Sequence, residues 1–175
     1  LLMESVEEQS SLGNAGGPGQ LTRMRLRAPS SWGAQQDEGA VAVRTLLATP
    51  ASCEMPVVNQ HLGCGVPKNF VYSVCTAATV GPWTGINKSD LKGRRCVTWR
   101  PAQVRTFVGE PVYVPRKDAK AEDDGWLLVL AFHAAEERSS IIVLDAQNME
   151  QVARVRLRSY VPWSHHCTWT PQCFF

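Results

Sequence analysis

The stretch from Tyr160 to Phe175 holds two of the chain's four histidines, His165 and His166, followed by Cys167, Thr168 and Trp169. Neutral imidazole is a common ligand for iron and zinc, so this is where the sequence could do metal chemistry. In extended backbone, neighbouring side chains project to opposite faces, and two adjacent histidines cannot then both face one ion. On these residues alone a second reading stays open, in which the pair marks a polar strand end and binds nothing. His61 falls in a connector that runs on through Gly63 and Gly65 to Pro67, and His133 ends an apolar run; both contexts are those of ordinary loop and strand-end histidines.

Further motifs upstream fall in a recognisable order. Cys53-Glu54-Met55-Pro56-Val57-Val58-Asn59 comes first, then Ser89-Asp90-Leu91-Lys92-Gly93, then Gly109-Glu110-Pro111-Val112-Tyr113-Val114-Pro115-Arg116. Glu122-Asp123-Asp124-Gly125-Trp126, Val143-Leu144-Asp145-Ala146 and Val152-Ala153-Arg154-Val155 follow, and the series closes on Val161-Pro162 and His166-x-Thr168-Trp169. From roughly Cys53 to Trp169 this series closely resembles the C-terminal part of the carotenoid cleavage oxygenases. That resemblance implies a seven-bladed β-propeller with one ferrous ion held at its axis by four histidines. It implies that His166 is one ligand and that His165 faces away from the metal.

By the same resemblance, Glu54 and Glu110 are carboxylates behind two other iron-ligating histidines, outside this chain. The physical logic is general: a metal-bound imidazole that donates its second N–H to a carboxylate has its tautomer fixed and its ring aimed. Glu54, Glu110 and His166 should then converge at one end of the sheets, within about 10 Å of a common point. Cys167 stands where the family commonly has glycine, and its thiol is expected to point away from the metal. The implied reaction is oxidative cleavage of a carbon–carbon double bond in a carotenoid or apocarotenoid by dioxygen, with Fe(II) as cofactor. With one of four histidines present, this chain alone is expected to be inactive.

Strands must place these groups. Leu21–Arg27, Val41–Leu47, Phe70–Cys75 and Gln151–Leu157 alternate or run rich in Val and aromatics, and Trp126–Phe132 is nearly all apolar. Such runs read as strands. Trp83–Trp99 reads as a hairpin about Leu91-Lys92-Gly93, and Pro111 as a residue at a strand start, where a missing N–H costs little. Lys117–Asp124 reads as a solvated hairpin tip; its carboxylates lack the spacing of a calcium loop. Strands every eight to fifteen or so residues with polar turns predict an all-β fold of antiparallel meander sheets. The expectation is a partial seven-bladed propeller: the last two or so blades plus the closing strand, over residues 39–175. Residues 1–38, with Gly16-Gly17-Pro18-Gly19, read as a poorly defined, linker-like segment.

The chain has 175 residues, 44% of them hydrophobic, and a formal net charge of +2. A whole propeller of seven four-stranded blades needs far more chain, and the first residue is leucine, so the sequence reads as a C-terminal portion. Near-balanced charge gives no sign of a nucleic-acid partner. The partners implied are the carotenoid or apocarotenoid substrate and dioxygen; peripheral membrane association would come through parts outside this chain. Six cysteines without CxxC spacing are expected to be free thiols, although the even number also allows disulfides. Two other functions remain open here: a metal-free propeller piece serving as a binding or scaffold module, and an isomerase or stilbene-cleaving relative built on the same scaffold.

Overall fold

The computed structural model describes residues 2–7, 20–25, 43–46, 52–63, 65–76, 82–162, 165–170 and 172. Eleven strands run in chain order: β1 (Leu2–Glu7), β2 (Gln20–Arg25), β3 (Val43–Leu46), β4 (Ser52–Val57), β5 (Phe70–Thr76), β6 (Gly85–Asp90), β7 (Arg95–Trp99), β8 (Thr106–Pro115), β9 (Gly125–His133), β10 (Arg138–Asp145) and β11 (Gln151–Arg156). They form one three-stranded sheet, β1-β2-β3, and two four-stranded sheets, β4-β5-β6-β7 and β8-β9-β10-β11. Within each sheet every strand pairs antiparallel with its chain neighbour, as the meander expectation requires. The residues between β1 and β2 and those between β2 and β3, Leu26 and Arg27 among them, lie outside the described residues. So does Leu47.

The first sheet joins β1 and β2, which fall within the 1–38 segment, to β3 beyond it. Short strands separated by glycine-rich chain give little periodic signal, which is why Leu2–Glu7 is silent in the sequence.

Within the middle sheet, β5 is buried on both faces. Tyr72, Val74 and Ile86 pack with Val108, Tyr113, Leu127, Val129, Ile142 and Leu144 of the last sheet. Cys53, Val71 and Cys75 pack on the other face, against Leu21. Residues Val71 to Thr76 are therefore all buried. Each fully buried Val, Leu or Tyr-sized side chain is worth roughly 1.5–3 kcal/mol of apolar transfer, so this junction is where much of the stability resides. Tyr72 and Tyr113 stack across it with ring centroids 5.9 Å apart. The Tyr72 hydroxyl donates to the carbonyl of Ala146 at 3.0 Å and the Tyr113 hydroxyl to that of Glu122 at 2.9 Å, so neither buried phenol is left unsatisfied. Gly125 is required beneath the Tyr113 ring: a Cβ there would come within 2.5 Å of the Tyr113 hydroxyl.

The acidic run is not a solvated tip. Glu122 accepts from the backbone amides of Asn69 at 2.8 Å and Phe70 at 2.9 Å, and from the Asn69 side-chain amide at 3.0 Å. Asp123 pairs with Lys88 at 2.6 Å, and Asp124 with Arg116 at 3.0 Å. Lys88, only 7% exposed, also donates to the carbonyl of Gln147 at 2.7 Å and lies over the Phe70 ring. These bonds clasp the β8–β9 turn to β5 and β6. A loop of like charges has the same composition whether water or a neighbouring sheet neutralises it, and only the fold decides.

Cys53 and Cys75 are buried thiols opposite one another in β4 and β5, and neither they nor Cys96 and Cys167 are joined in disulfides; Cys64 and Cys173 lie outside the described residues. Burial pushes the Cys75 thiol up to about 11, which keeps it neutral and unreactive. His133 is buried at the end of β9, with Nδ1 3.0 Å from the Thr106 hydroxyl and Nε2 2.7 Å from the Ser140 hydroxyl, a structural histidine as expected.

Candidate metal-site rim

Glu54 and Glu110 each lie at a break in a strand ladder, Glu54 as the last paired residue before it and Glu110 within it. β4 and β8 are each the first strand at one edge of a four-stranded sheet, and they lie against one another. Both ladders are interrupted at the glutamate. The β4–β5 register shifts between Glu54 and Val57, and the β8–β9 register shifts between Val108 and Pro111. A bulge inserts an unpaired residue, bends the strand and re-aims a side chain. Proline is tolerated there because the ladder needs no N–H, and each glutamate has one close behind it, Pro56 or Pro111. In β4 the bulge also places Met55 at a φ of 53°, a left-handed conformation that a non-glycine residue adopts at a cost of roughly 1 kcal/mol. Strain of this kind collects at functional sites.

Pro111 is thus not at a strand start. β8 begins at Thr106 and runs through the bulge to Pro115, with Thr106 and Val108 buried before it and Pro111 and Tyr113 after it. The sequence suggested otherwise because proline usually marks a strand boundary; an interrupted ladder satisfies the same constraint from within.

Beyond β11 the described residues form no further strand. The chain turns back, and Cys167 donates its backbone N–H to Glu110 Oε2 at 2.9 Å. The same oxygen lies 3.4 Å from His166 Nδ1. Glu110 thus lies beside His166 of its own chain. The sequence could not choose the partner, because the three strands that follow β8 decide which tail residue returns to the bulge. The His166 side chain is 82% exposed and that of Glu110 only 14%. A neutral ring whose Nδ1–H faces the carboxylate turns its Nε2 lone pair away from that carboxylate. What Cys167 contributes is its backbone amide, which glycine at this position would supply equally well.

Glu110 and the tail face a cleft of about 130 Å³, also lined by Pro56, Val57, His61, Tyr113 and Trp169. The structure brings Glu110 and His166 together, while neither Glu54 nor His166 is among the residues lining this cleft. His61, read as a loop residue, lies in a 3-10 turn, Gln60–Leu62, at this cleft. That turn is held by Asn59, whose side chain accepts from the His61 amide at 3.0 Å and donates to the Glu122 carbonyl at 2.8 Å. Burial, followed by the nearby carboxylates of Asp123, Asp124 and Glu122, pushes the Tyr113 phenol up to about 12, so it stays neutral beside the cleft. His165 is exposed.

Among the described residues no group of three His, Cys, Asp or Glu side chains could hold a metal ion. The donor set fits one corner of such a site: a single imidazole with a carboxylate oxygen 3.4 Å from its Nδ1, on a side chain that is otherwise largely exposed.

A sequence model of the family described as retinal pigment epithelial membrane protein matches residues 3–171. The chain is 35% identical over 156 residues to apocarotenoid-15,15'-oxygenase of Synechocystis, a match covering 87% of this chain and 29% of that protein. It is 33% identical over 135 residues to torulene dioxygenase of Fusarium fujikuroi, covering 77% of this chain and 23% of that protein. A carotenoid cleavage oxygenase of Mycobacterium tuberculosis is 33% identical over 124 residues, covering 67% of this chain and 24% of its own length. The crystal structure of cobalt-substituted Synechocystis apocarotenoid oxygenase superposes with a TM-score of 0.76 at 28% identity, over 94% of this chain and 35% of that one. The all-β meanders are thus part of the propeller of those oxygenases, and the chain spans under a third of the length of the relatives it matches in sequence.

Proposed function

Because the chain belongs to the retinal pigment epithelial membrane protein family of carotenoid oxygenases, we propose that the whole protein is a non-haem Fe(II) dioxygenase that cleaves a carbon–carbon double bond of a carotenoid or apocarotenoid into two carbonyl products. The names of the matched relatives support the substrate class. The observation that carries the reading is the Glu110 carboxylate 3.4 Å from His166 Nδ1, on a side chain that is 82% exposed.

In this reading His166 presents Nε2 to the metal and Glu110 holds Nδ1–H, fixing tautomer and ring direction and raising the basicity of the imidazole. The Cys167 amide holds the same carboxylate oxygen from the chain side, so the carboxylate cannot rotate away when the ring moves. Glu54, at the bulge of β4, serves a second ligating histidine contributed by the remainder of the protein. A ferrous ion held by imidazoles supplies activation of dioxygen beside an alkene. Open coordination positions and an apolar surround are what the protein must provide for that chemistry. The cleft beside Glu110 is mostly polar, with Pro56, Val57, Val112 and Trp169 among its lining, so the apolar surround falls to the remainder of the protein. This chain alone supplies one ligand and is inactive without the others.

The test uses the whole protein, purified with iron and incubated with an apocarotenoid in air. Two carbonyl fragments whose masses sum to substrate plus two oxygen atoms are expected. Iron-loaded protein that leaves a panel of carotenoids and apocarotenoids intact would count against the assignment.

A further inference from the structure

The tail that delivers His166 is fastened across the last sheet, one strand at a time. At the outer edge, as the chain leaves β11, the Leu157 amide donates to the backbone carbonyl of Ser139 at 3.0 Å. On β10, the Ser139 hydroxyl donates to the carbonyl of Val161 at 2.9 Å and accepts from the Val161 amide at 3.2 Å. On β9, Tyr160 meets Phe132 edge to face, with ring centroids 5.4 Å apart. On β8, the Cys167 amide ends at Glu110. Phe107, Phe132 and Ser139 sit opposite one another in register, so they share one face of the sheet, and the tail runs back over that face.

Ser139 is the hub of this strap. It is 1% exposed and bonds the tail at two residues, Leu157 through its carbonyl and Val161 through its hydroxyl. From Val161 to His166 the chain can reach at most about 18 Å. Crossing from β10 to β8, two strand spacings, takes about 10 Å of that. The anchor therefore leaves the ligand little freedom. Without the hydroxyl, the next hydrogen bond back along the chain is at Leu157, and the tether nearly doubles in length. Its neighbour Ser140 is equally buried but turns elsewhere, to His133 and Arg154.

Resting on the reading of His166 as a metal ligand, we infer that Ser139 is a positioning residue for that ligand, acting through Val161. Doubling a flexible tether costs about threefold in the chance that its ends meet, so Ser139→Ala is expected to weaken iron binding by about threefold or more. The experiment measures the Fe(II) dissociation constant of the whole protein by chelator competition, with the thermal unfolding midpoint read alongside. Ser139→Thr keeps the hydroxyl and should bind within about twofold of the parent, while Ser140→Ala should lower the midpoint without changing affinity. Tyr160→Ala, at a side chain 58% exposed, removes the second fastening with no risk to the core and should give a smaller loss in affinity.

Parent-like affinity in folded Ser139→Ala, or an equal loss in Ser140→Ala, overturns the inference. A Ser139→Ala protein that fails to fold leaves Tyr160→Ala to decide alone, and parent-like affinity there overturns it. His166→Ala separates the layers: if it keeps iron, the ligand assignment falls and this inference with it; if it loses iron while the fastening variants do not, only this inference falls.

Discussion

Two clusters of charge on the last sheet are built from similar residues and behave oppositely. At the β8–β9 turn, Glu122, Asp123 and Asp124 find Asn69, Lys88 and Arg116 within the chain, and the cluster is complete. At the β8 bulge, Glu110 meets an imidazole whose side chain is 82% exposed. The first cluster uses its charges to hold two sheets together; the second leaves its imidazole largely open to solvent. A closed cluster should govern stability and leave ligands alone, and an open one should do the reverse.

That contrast can be broken most decisively at His166. His166→Ala in the whole protein should abolish iron retention, while the unfolding midpoint of apo-protein stays put, because an exposed side chain contributes under about 0.5 kcal/mol. Metal analysis beside calorimetry reads both. Lys88→Ala should do the opposite, leaving Asp123 without its cation at a site only 15% exposed, at a cost of about 3–5 kcal/mol in denaturant titration. Any loss of iron affinity in well-folded Lys88→Ala protein would erase the distinction.

Glu110→Gln sharpens it by removing charge without shape: iron affinity or turnover should fall by about 10–100-fold. Glu54→Gln should fall in the same range if β4 carries the equivalent role, and parent-like iron retention and turnover in both would remove the carboxylates from the site. The smallest effect concerns a group in neither cluster. Burial, then the nearby Arg154, hold the His133 imidazole below its ordinary 6.5, with Glu136 acting the other way and Arg156 adding to the depression. The unfolded chain then binds the proton more readily than the native one, so this contribution to stability is present above about pH 6.5 and drains away as pH falls below it. Unfolding midpoints at pH 7.5 and pH 5.5 should differ less in His133→Gln than in the parent.

How much of this was visible in residue order can be traced position by position. Phe70–Cys75, Trp126–Phe132 and Gln151–Leu157 announce themselves as strands through β-branched and aromatic periodicity, and their hairpin neighbours follow from turn chemistry. Glu54, Glu110 and His166 stand out through the motifs around them. The partnership of Glu110 with His166 does not, because it depends on a tail crossing three strands, and no local pattern encodes where a chain lands. Ser139 is silent for the same reason: a serine in a strand says nothing of a hydrogen bond to a residue 22 positions on. The acidic run misleads, since composition cannot tell a loop bathed in water from one locked to a neighbouring sheet. The two Glu-Pro bulges did carry a usable sign, a proline in the middle of an otherwise sound strand.

The bulge in β8 also acts as a phase step. Even-numbered side chains face the core up to Val108 and odd-numbered ones from Pro111 onward. A strand without that one-residue offset could bury Thr106 and Val108 or Pro111 and Tyr113, never both pairs, because strand side chains alternate with a period of two. Losing the offset would throw the stacked tyrosine out into water and open the seam between two sheets. Selection for a folded chain alone is then enough to preserve the bulge, and with it the direction of Glu110.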